Sequence, residues 1–283
     1  MLTTLKQLLK SLLKITIYRP GTTASILIGQ LRGYKYIVND NSGWASIYGG
    51  WEPESQKIYC QLLQSGQTVY DLGANTGIHS VLFSKLVGSE GKVFAFEPLA
   101  ENLTELNSMI EINGISNIHV IGKAVGNTVG TVKFKIGKHN KQGSLVGIGC
   151  EIGDEVEVEI TTLDNLIDEG LSLPDFIKID IEGAESEALY GFSNFIEKSC
   201  PSFAIDLHTP EQDVKVGKFF LKYGYKLYRL NSPMSKKLTK QRKLLAEIPR
   251  LDLGWPDSRG VWGTIIAIHP TREDSINRLT HFV

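Results

Sequence analysis

Asp71-Leu72-Gly73-Ala74-Asn75-Thr76-Gly77 is the first stretch of this chain whose residue types and spacing can hold a ligand. Gly73 and Gly77 permit a tight turn and let backbone approach a bound molecule with no Cβ between them. Their G-x-x-x-G spacing is neither the G-x-G-x-x-G of dinucleotide sites nor the G-x-x-x-x-G-K-[ST] of phosphate loops. A glycine turn by itself also serves plain strand–helix packing, so a second element matters. Glu97 supplies it by ending the next strand, 20 residues beyond Gly77. A carboxylate in that place can accept hydrogen bonds from the hydroxyls of a ribose. Asp71, the turn and Glu97 together point to a nucleoside with a free ribose and no required pyrophosphate.

A second group lies further along. Asp180 and Glu182 are two residues apart at the end of an apolar strand, so both can face one crevice. His208 follows another strand, and its ordinary pKa near working pH suits proton transfer. Three readings stand side by side. In the first, His208 is a general base while Asp180 and Glu182 place an acceptor. In the second, the two carboxylates and the imidazole ligate Mg²⁺ or Mn²⁺, with water completing the shell. In the third, Glu182 and Glu185 simply charge the first turn of the next helix, where the macrodipole favours them. His79 and His119 receive no role: a lone histidine near a helix start or within a strand is ordinarily satisfied structure.

An α/β scaffold has to position these groups. From about residue 67, short β-branched runs alternate with helical stretches, the pattern of parallel βαβ units. Strands are expected at 68–70, 91–96, 118–125, 176–181 and 202–207, with two late ones at 226–229 and 264–268. Helices are expected from Ile78 to about Val87, through Glu111 with a stop at Asn113-Gly114, from Ala184 to about Glu197, and from Val214 to Tyr223. Seven strands with helices on both faces make a doubly wound sheet, which binds ligands beyond the carboxyl ends of its strands. Asp71–Gly77, Glu97, Lys123–Val125, Asp180–Gly183 and Asp206–His208 all follow strands. Residues 131–136 and 155–160 instead alternate polar and apolar, an antiparallel pair with one wet face. The loop through Gln142-Gly143-Ser144-Leu145 is then a candidate lid. The chain divides into a helical and irregular extension, 1–60, and a main domain, 61–283. A β-hairpin insertion covers 131–160 and a second insertion 231–262, whose basic stretch Lys236–Lys243 reads as a solvated face.

Charge and cysteine content narrow the partners. A net charge of −1 gives no electrostatic footprint for nucleic acid. Cys60, Cys150 and Cys200 are widely spaced and odd in number, so they frame neither a zinc site nor disulfides, and a cytoplasmic location follows. No apolar run approaches the roughly 20 residues of a spanning helix. Residues 1–18 form a Leu/Lys amphipathic pattern, with Leu2, Leu5, Leu9, Leu12 and Leu13 opposite Lys6, Lys10 and Lys14. Such a helix packs on the domain or on a second copy of the chain. Peripheral membrane contact is its alternative use, and a single short basic helix binds membranes weakly and reversibly.

The four stretches Asp71–Gly77, Phe96-Glu97-Pro98, Thr162-Leu163-Asp164-Asn165-Leu166 and Phe176-Ile177-Lys178-Ile179-Asp180-Ile181-Glu182-Gly183-Ala184-Glu185, in this order and spacing, resemble the FkbM family of methyltransferases. The resemblance spans about residues 67 to 210. It implies a class I methyltransferase (Rossmann-like) fold with a seven-stranded, mostly parallel sheet whose last strand is antiparallel. It also implies S-adenosylmethionine as donor and a hydroxyl of a small molecule or saccharide as acceptor. Asp71, Gly73, Ala74, Asn75 and Gly77 would surround the methionine part of the donor, Glu97 would take the ribose, and Lys123 and Ala124 would lie beside the adenine. Asp180 would border both donor and acceptor. Where the family often reads E-I-H or E-L-H, this chain has Asp206-Leu207-His208, so the acid is shorter and His208 still matches. Two rival functions are a non-catalytic nucleoside-binding scaffold and an NAD-dependent oxidoreductase. The intact Asp180, Glu182 and His208 argue against the first, and the missing third glycine against the second.

Overall fold

The computed structural model describes residues 21–38, 49, 51–137, 143–145, 153–230, 245–247, 263–279 and 282. The amphipathic segment 1–18, the aromatic residues Trp44 and Tyr48, expected with Trp51 to line an acceptor pocket, and nearly all of the 231–262 insertion lie outside these residues. In chain order the elements begin with β1 (Thr23–Ser25), β2 (Lys35–Ile37), α1 (Pro53–Leu62), β3 (Thr68–Leu72), α2 (Ile78–Val87), β4 (Lys92–Phe96) and α3 (Ala100–Ile112). There follow β5 (Ile118–Ile121), β6 (Ala124–Val125), β7 (Gly130–Gly137), β8 (Gly143–Leu145), β9 (Gly153–Thr161), α4 (Leu163–Asp168) and β10 (Phe176–Ile179). The last part comprises α5 (Glu185–Tyr190), α6 (Ile196–Ser199), β11 (Ser202–Leu207), α7 (Pro210–Lys222), β12 (Lys226–Leu230), β13 (Leu245–Glu247), β14 (Gly263–Ile268) and α8 (Glu273–Leu279).

The main sheet runs β13-β12-β14-β11-β10-β3-β4-β5. Strands β3, β4, β5, β10 and β11 are parallel to their neighbours, while β14 inserts antiparallel between β11 and β12. Seven strands with an antiparallel last one form the expected fold, and the three-residue β13 adds an edge beyond β12. Chain order reverses between β3 and β10, which makes their carboxyl ends the topological switch point. Buried apolar side chains explain why the sheet is covered twice. Val69, Phe176, Ala204 and Ile266 pack with Ile58, Tyr59, Val81 and Phe83 on one face. On the other face Tyr70, Ile177, Ile179 and Phe203 pack with Leu189, Phe192, Val216 and Phe220. Each such side chain contributes about 1.5–3 kcal/mol when removed from water.

A second sheet, β6-β9-β7-β8, stands beside the first. Its β7 and β9 pair antiparallel with Val132 opposite Val158 and Phe134 opposite Val156, burying Phe134 and Val158 while Lys133, Glu155 and Glu157 stay exposed.

Five local expectations differ from the structure. Residues 143–145, within the loop read as a candidate lid, form β8 and pair antiparallel with β7, Leu145 opposite Phe134. Residues 118–125 make two strands, because the Lys123 amide turns back to the Ile121 carbonyl (2.9 Å) and β6 leaves for the second sheet. The helix expected over 184–197 breaks after Tyr190. There the Gly191 carbonyl accepts from the Asp164 amide (2.8 Å), while the Phe195 amide bonds to Phe192. A Cβ on residue 191 would lie 2.0 Å from the Gly126 carbonyl oxygen, so glycine is required at that contact. Helix α7 starts at Pro210, four residues before Val214, with the Thr209 hydroxyl capping the Gln212 amide at 3.2 Å. Finally, residues 21–38 form the β1/β2 hairpin within the region read as helical and irregular.

Candidate functional site

The turn Asp71–Gly77 is shaped by its glycines and by Glu97. Gly73 has φ +80°, and a Cβ there would lie 1.9 Å from the Asp180 carbonyl oxygen. The two loops at the switch point therefore touch through bare backbone, and the Asp180 amide donates to the Leu72 carbonyl (3.0 Å). Gly73 and Ala74 amides both donate to the Phe96 carbonyl, which ties the turn to the end of β4. Asn75 takes a left-handed φ of +50° and donates its amide to Glu97 Oε2 at 2.9 Å. Glu97 Oε1 accepts from the Leu99 amide (2.9 Å) and from Asn102 Nδ2 (3.2 Å). Burial pushes the Glu97 carboxyl up, and these donors oppose the rise. The Glu97 amide donates to Ile121, so the strand end that leads into Lys123 and Ala124 lies beside it. Lys123 itself pairs with Glu159 (3.0 Å) on the surface, and Ala124 is buried in β6.

Asp71, fully buried, accepts from the Ser80 hydroxyl at 2.6 Å. Its other oxygen lies 3.9 Å from Lys178 Nζ. Burial raises the Asp71 carboxyl above its usual range, against the pull of Lys178 and Ser80.

Asp180, Glu182 and His208 come together just past the ends of β10 and β11. His208 Nε2 lies 3.4 Å from Asp180 Oδ1 and 3.4 Å from Glu182 Oε2. Its Nδ1 meets Glu185 Oε1 at 2.7 Å, and the Gly183 amide donates to the same oxygen at 2.8 Å. Glu182 reaches this position from a left-handed backbone, φ +56°. Gln212 on α7 steadies the loop, donating to the Gly183 carbonyl (2.7 Å) and accepting from the Ser186 amide (2.8 Å). Burial disfavours the charged imidazole, but the bond to Glu185 and the charges of Asp180 and Glu182 outweigh it and raise His208 to about 9. Burial likewise opposes ionisation of Asp180, yet Lys178 and His208 hold its carboxyl below the usual range. Glu182 moves the other way, raised chiefly by burial. One ligand atom from each of Asp180, Glu182 and His208 lies within 4.8 Å of the others, close enough to hold one metal ion.

Sequence reasoning gave no role in the site to four contributors. Lys178 is 1 % exposed and donates to Asp180 Oδ2 at 3.1 Å. Asp206 accepts from the Thr264 hydroxyl (2.5 Å) and is raised to about 6, by burial first and then by the charge of Asp180. Glu52, in the segment before α1, approaches His79 Nε2 at 3.6 Å and is raised to about 7 by burial and by Asp206. Burial lowers His79 to about 3, so it is neutral. Glu185, expected only to charge a helix start, is the partner that orients His208. The sequence alternation in Phe176–Ile181 was a usable signal for Lys178; nothing local marks Glu52.

Comparison with known proteins shows the family. The model of the methyltransferase FkbM domain matches residues 71–227, more than half of the chain. The hexuronic acid methyltransferase AglP of Haloferax volcanii is 22% identical over 185 residues, which is 63% of this chain and 73% of that protein. The methyltransferase sdnD of Sordaria araneosa is 27% identical over 187 residues, 52% of this chain and 72% of that one. A crystal structure of an FkbM methyltransferase from Methylobacillus flagellatus superposes with a TM-score of 0.47 and 20% identity over 72% of this chain. This chain spans 44% of that protein. With a match that runs from the glycine turn at Asp71 through His208 and into β12, the chain belongs to the FkbM family of S-adenosylmethionine-dependent methyltransferases.

Proposed function

We propose that this methyltransferase acts on oxygen, moving the methyl group of S-adenosylmethionine to a hydroxyl of a sugar, glycolipid or secondary metabolite. The observation that carries the reading is the Asp180–Glu182–His208 group, with His208 oriented by Glu185 at the switch point. Asp71, Gly73, Ala74, Asn75, Gly77 and Glu97, with Lys123 and Ala124 beside them, hold the donor. Asp180 and Glu182 accept hydrogen bonds from acceptor hydroxyls, and a saccharide offers several. The name of the Haloferax relative favours a sugar, and Trp51, 43% exposed next to Glu52, offers a face for one. In the transfer, the acceptor oxygen attacks the methyl carbon in line and the C–S electron pair returns to sulfur, leaving neutral S-adenosylhomocysteine. The hydroxyl proton passes to His208 Nε2.

His208 must be neutral to take that proton, and the free enzyme holds it protonated until about pH 9. Turnover should therefore rise with pH. The limb in kcat/KM for the donor lies near pH 9, and the limb in kcat lies lower because the bound sulfonium disfavours a second cation nearby. A flat profile between pH 6 and 9 would remove His208 as base. A second reading rests on the ligand spacing of the same three residues: a divalent ion, Mg²⁺ or Mn²⁺, lowers the pKa of the acceptor hydroxyl in place of the base. Activity that vanishes in chelator and returns with Mn²⁺ selects it.

Calorimetry with S-adenosylhomocysteine, followed by an acceptor screen with labelled S-adenosylmethionine, tests the whole proposal. Binding of the thioether product and label in a neutral methyl ether are the expected results. Label recovered in an amine or an ester overturns the hydroxyl reading, and binding without transfer to any acceptor favours a nucleoside-binding scaffold.

A further inference from the structure

Lys178 is an odd residue for its place. It occupies the third position of β10, a strand buried on both sides between β3 and β11, where apolar side chains are the rule. Its register partner on β3 is Asp71, so the two side chains leave the same face of the sheet. Asp180, two residues further, shares that face. So does Asp206, which follows Ile205, the partner of Ile179. Over this polar row lie Tyr59 from α1, Ser80 and His79 from α2, and Glu52. The titratable groups facing Lys178 are thus Asp71, Asp180, Asp206 and Glu52, with neutral His79 and the un-ionised Tyr59 behind them. A buried ammonium is a poor choice for stability alone, since a packed apolar side chain would serve as well.

Its two closest partners belong to different halves of the site. Asp71, 3.9 Å away, opens the donor turn; Asp180, 3.1 Å away, opens the acceptor loop and presents its other oxygen to His208. We infer that Lys178 is the positioning residue that fixes the donor turn and the acceptor cluster relative to each other. It does so by attracting Asp71 across a 3.9 Å ion pair and donating to the Oδ2 of Asp180 at 3.1 Å, which leaves Asp180 Oδ1 for His208. Lys178 touches no substrate, being almost fully enclosed. The inference rests on the methyl-transfer reading for its kinetic consequences and on geometry alone for the contact between the two loops.

The test compares Lys178→Met, Asp71→Asn and the double variant. Lys178→Met alone strands a buried Asp71 charge and is expected to lose thermal stability. In the Asp71→Asn background that charge is absent and Asp180 keeps His208 as its counter-charge, so the double variant should fold. Relative to Asp71→Asn, it is expected to lose about 10²-fold in kcat, the scale of an ångström-sized misplacement of a reacting group. The Asp180 amide, which donates to the Leu72 carbonyl at 3.0 Å and so joins the two loops, should lose protection against hydrogen exchange relative to the amides of β10 in the free protein. A structural filler would change the protection of both alike. A double variant with kcat within about threefold of Asp71→Asn and an Asp180 amide protected as in Asp71→Asn overturns the inference. If the unmodified protein binds no S-adenosylhomocysteine, the methyl-transfer reading falls and the exchange measurement still decides the role of Lys178.

Discussion

Replacing His208 by alanine is expected to lower kcat by about 10²–10⁴-fold, the contribution of a positioned general base. Affinity for S-adenosylhomocysteine should stay within about threefold, because the donor turn and Glu97 are untouched. The prediction follows from how the imidazole is held. Nδ1 faces the enclosed carboxylate of Glu185, which fixes the ring and its tautomer, while Nε2 faces the crevice between Asp180 and Glu182. The same variant makes a stability prediction with a definite sign. His208 is raised from 6.5 to about 9 in the folded protein. A raised pKa contributes stability that is complete below 6.5 and is lost as pH rises through 9, worth at most about 3 kcal/mol here. Thermal melts of the unmodified protein should lose that increment between these pH values, and melts of His208→Ala should not. Turnover within a few-fold of the unmodified enzyme would show that the acceptor proton leaves by another route, with the divalent-ion reading next in line.

The glycine turn and the Asp180–Glu185 stretch are legible because each is a contiguous run at a strand end. Parallel strands then do the assembly: register pairing of β3, β10 and β11 brings Leu72, Ile179 and Ile205 level, so whatever follows them converges. What a run of letters does not carry is which charge compensates which. Glu185 reads as a helix-start acid until β11 delivers His208 to it. Lys178 reads as one polar residue in an alternating strand until Asp71 stands opposite it in register. Glu52 is separated by more than 120 residues from Asp180 and joins the cluster only because α1 packs across the sheet. Backbone partners set element boundaries in the same non-local way. The sequence 184–197 has the composition of one helix, yet the Gly191 carbonyl is taken by Asp164 from α4. Three-residue strands such as β1, β2 and β13 are too short for alternation to reveal.

Gly73→Ala is the backbone counterpart of the His208 experiment and should be more damaging to the donor site. The new Cβ would lie 1.9 Å from the Asp180 carbonyl oxygen and 2.9 Å from its carbon, so the obstacle is main chain with no rotamer to yield. The left-handed φ of +80° adds a cost of about 1–2 kcal/mol for any residue with a Cβ. Overpacking adds about 1–3 kcal/mol, giving roughly 2–5 kcal/mol in all. Gly66→Ala provides the control, because its φ is +83° and nothing lies within 4 Å of the added Cβ. It bears the conformational cost alone and should lose only about 1–2 kcal/mol. Subtracting one variant from the other isolates the contact between the two loops. That contact matters for chemistry because relief of the clash must push Asp180 away from Leu72, opening the donor turn and shifting the carboxylate that faces His208. Gly73→Ala should accordingly lose at least about 10²-fold in both S-adenosylhomocysteine affinity and kcat, while Gly66→Ala keeps both. Equal donor affinity in the two variants would mean that the glycine at 73 serves folding alone and that the turn does not close on the ligand.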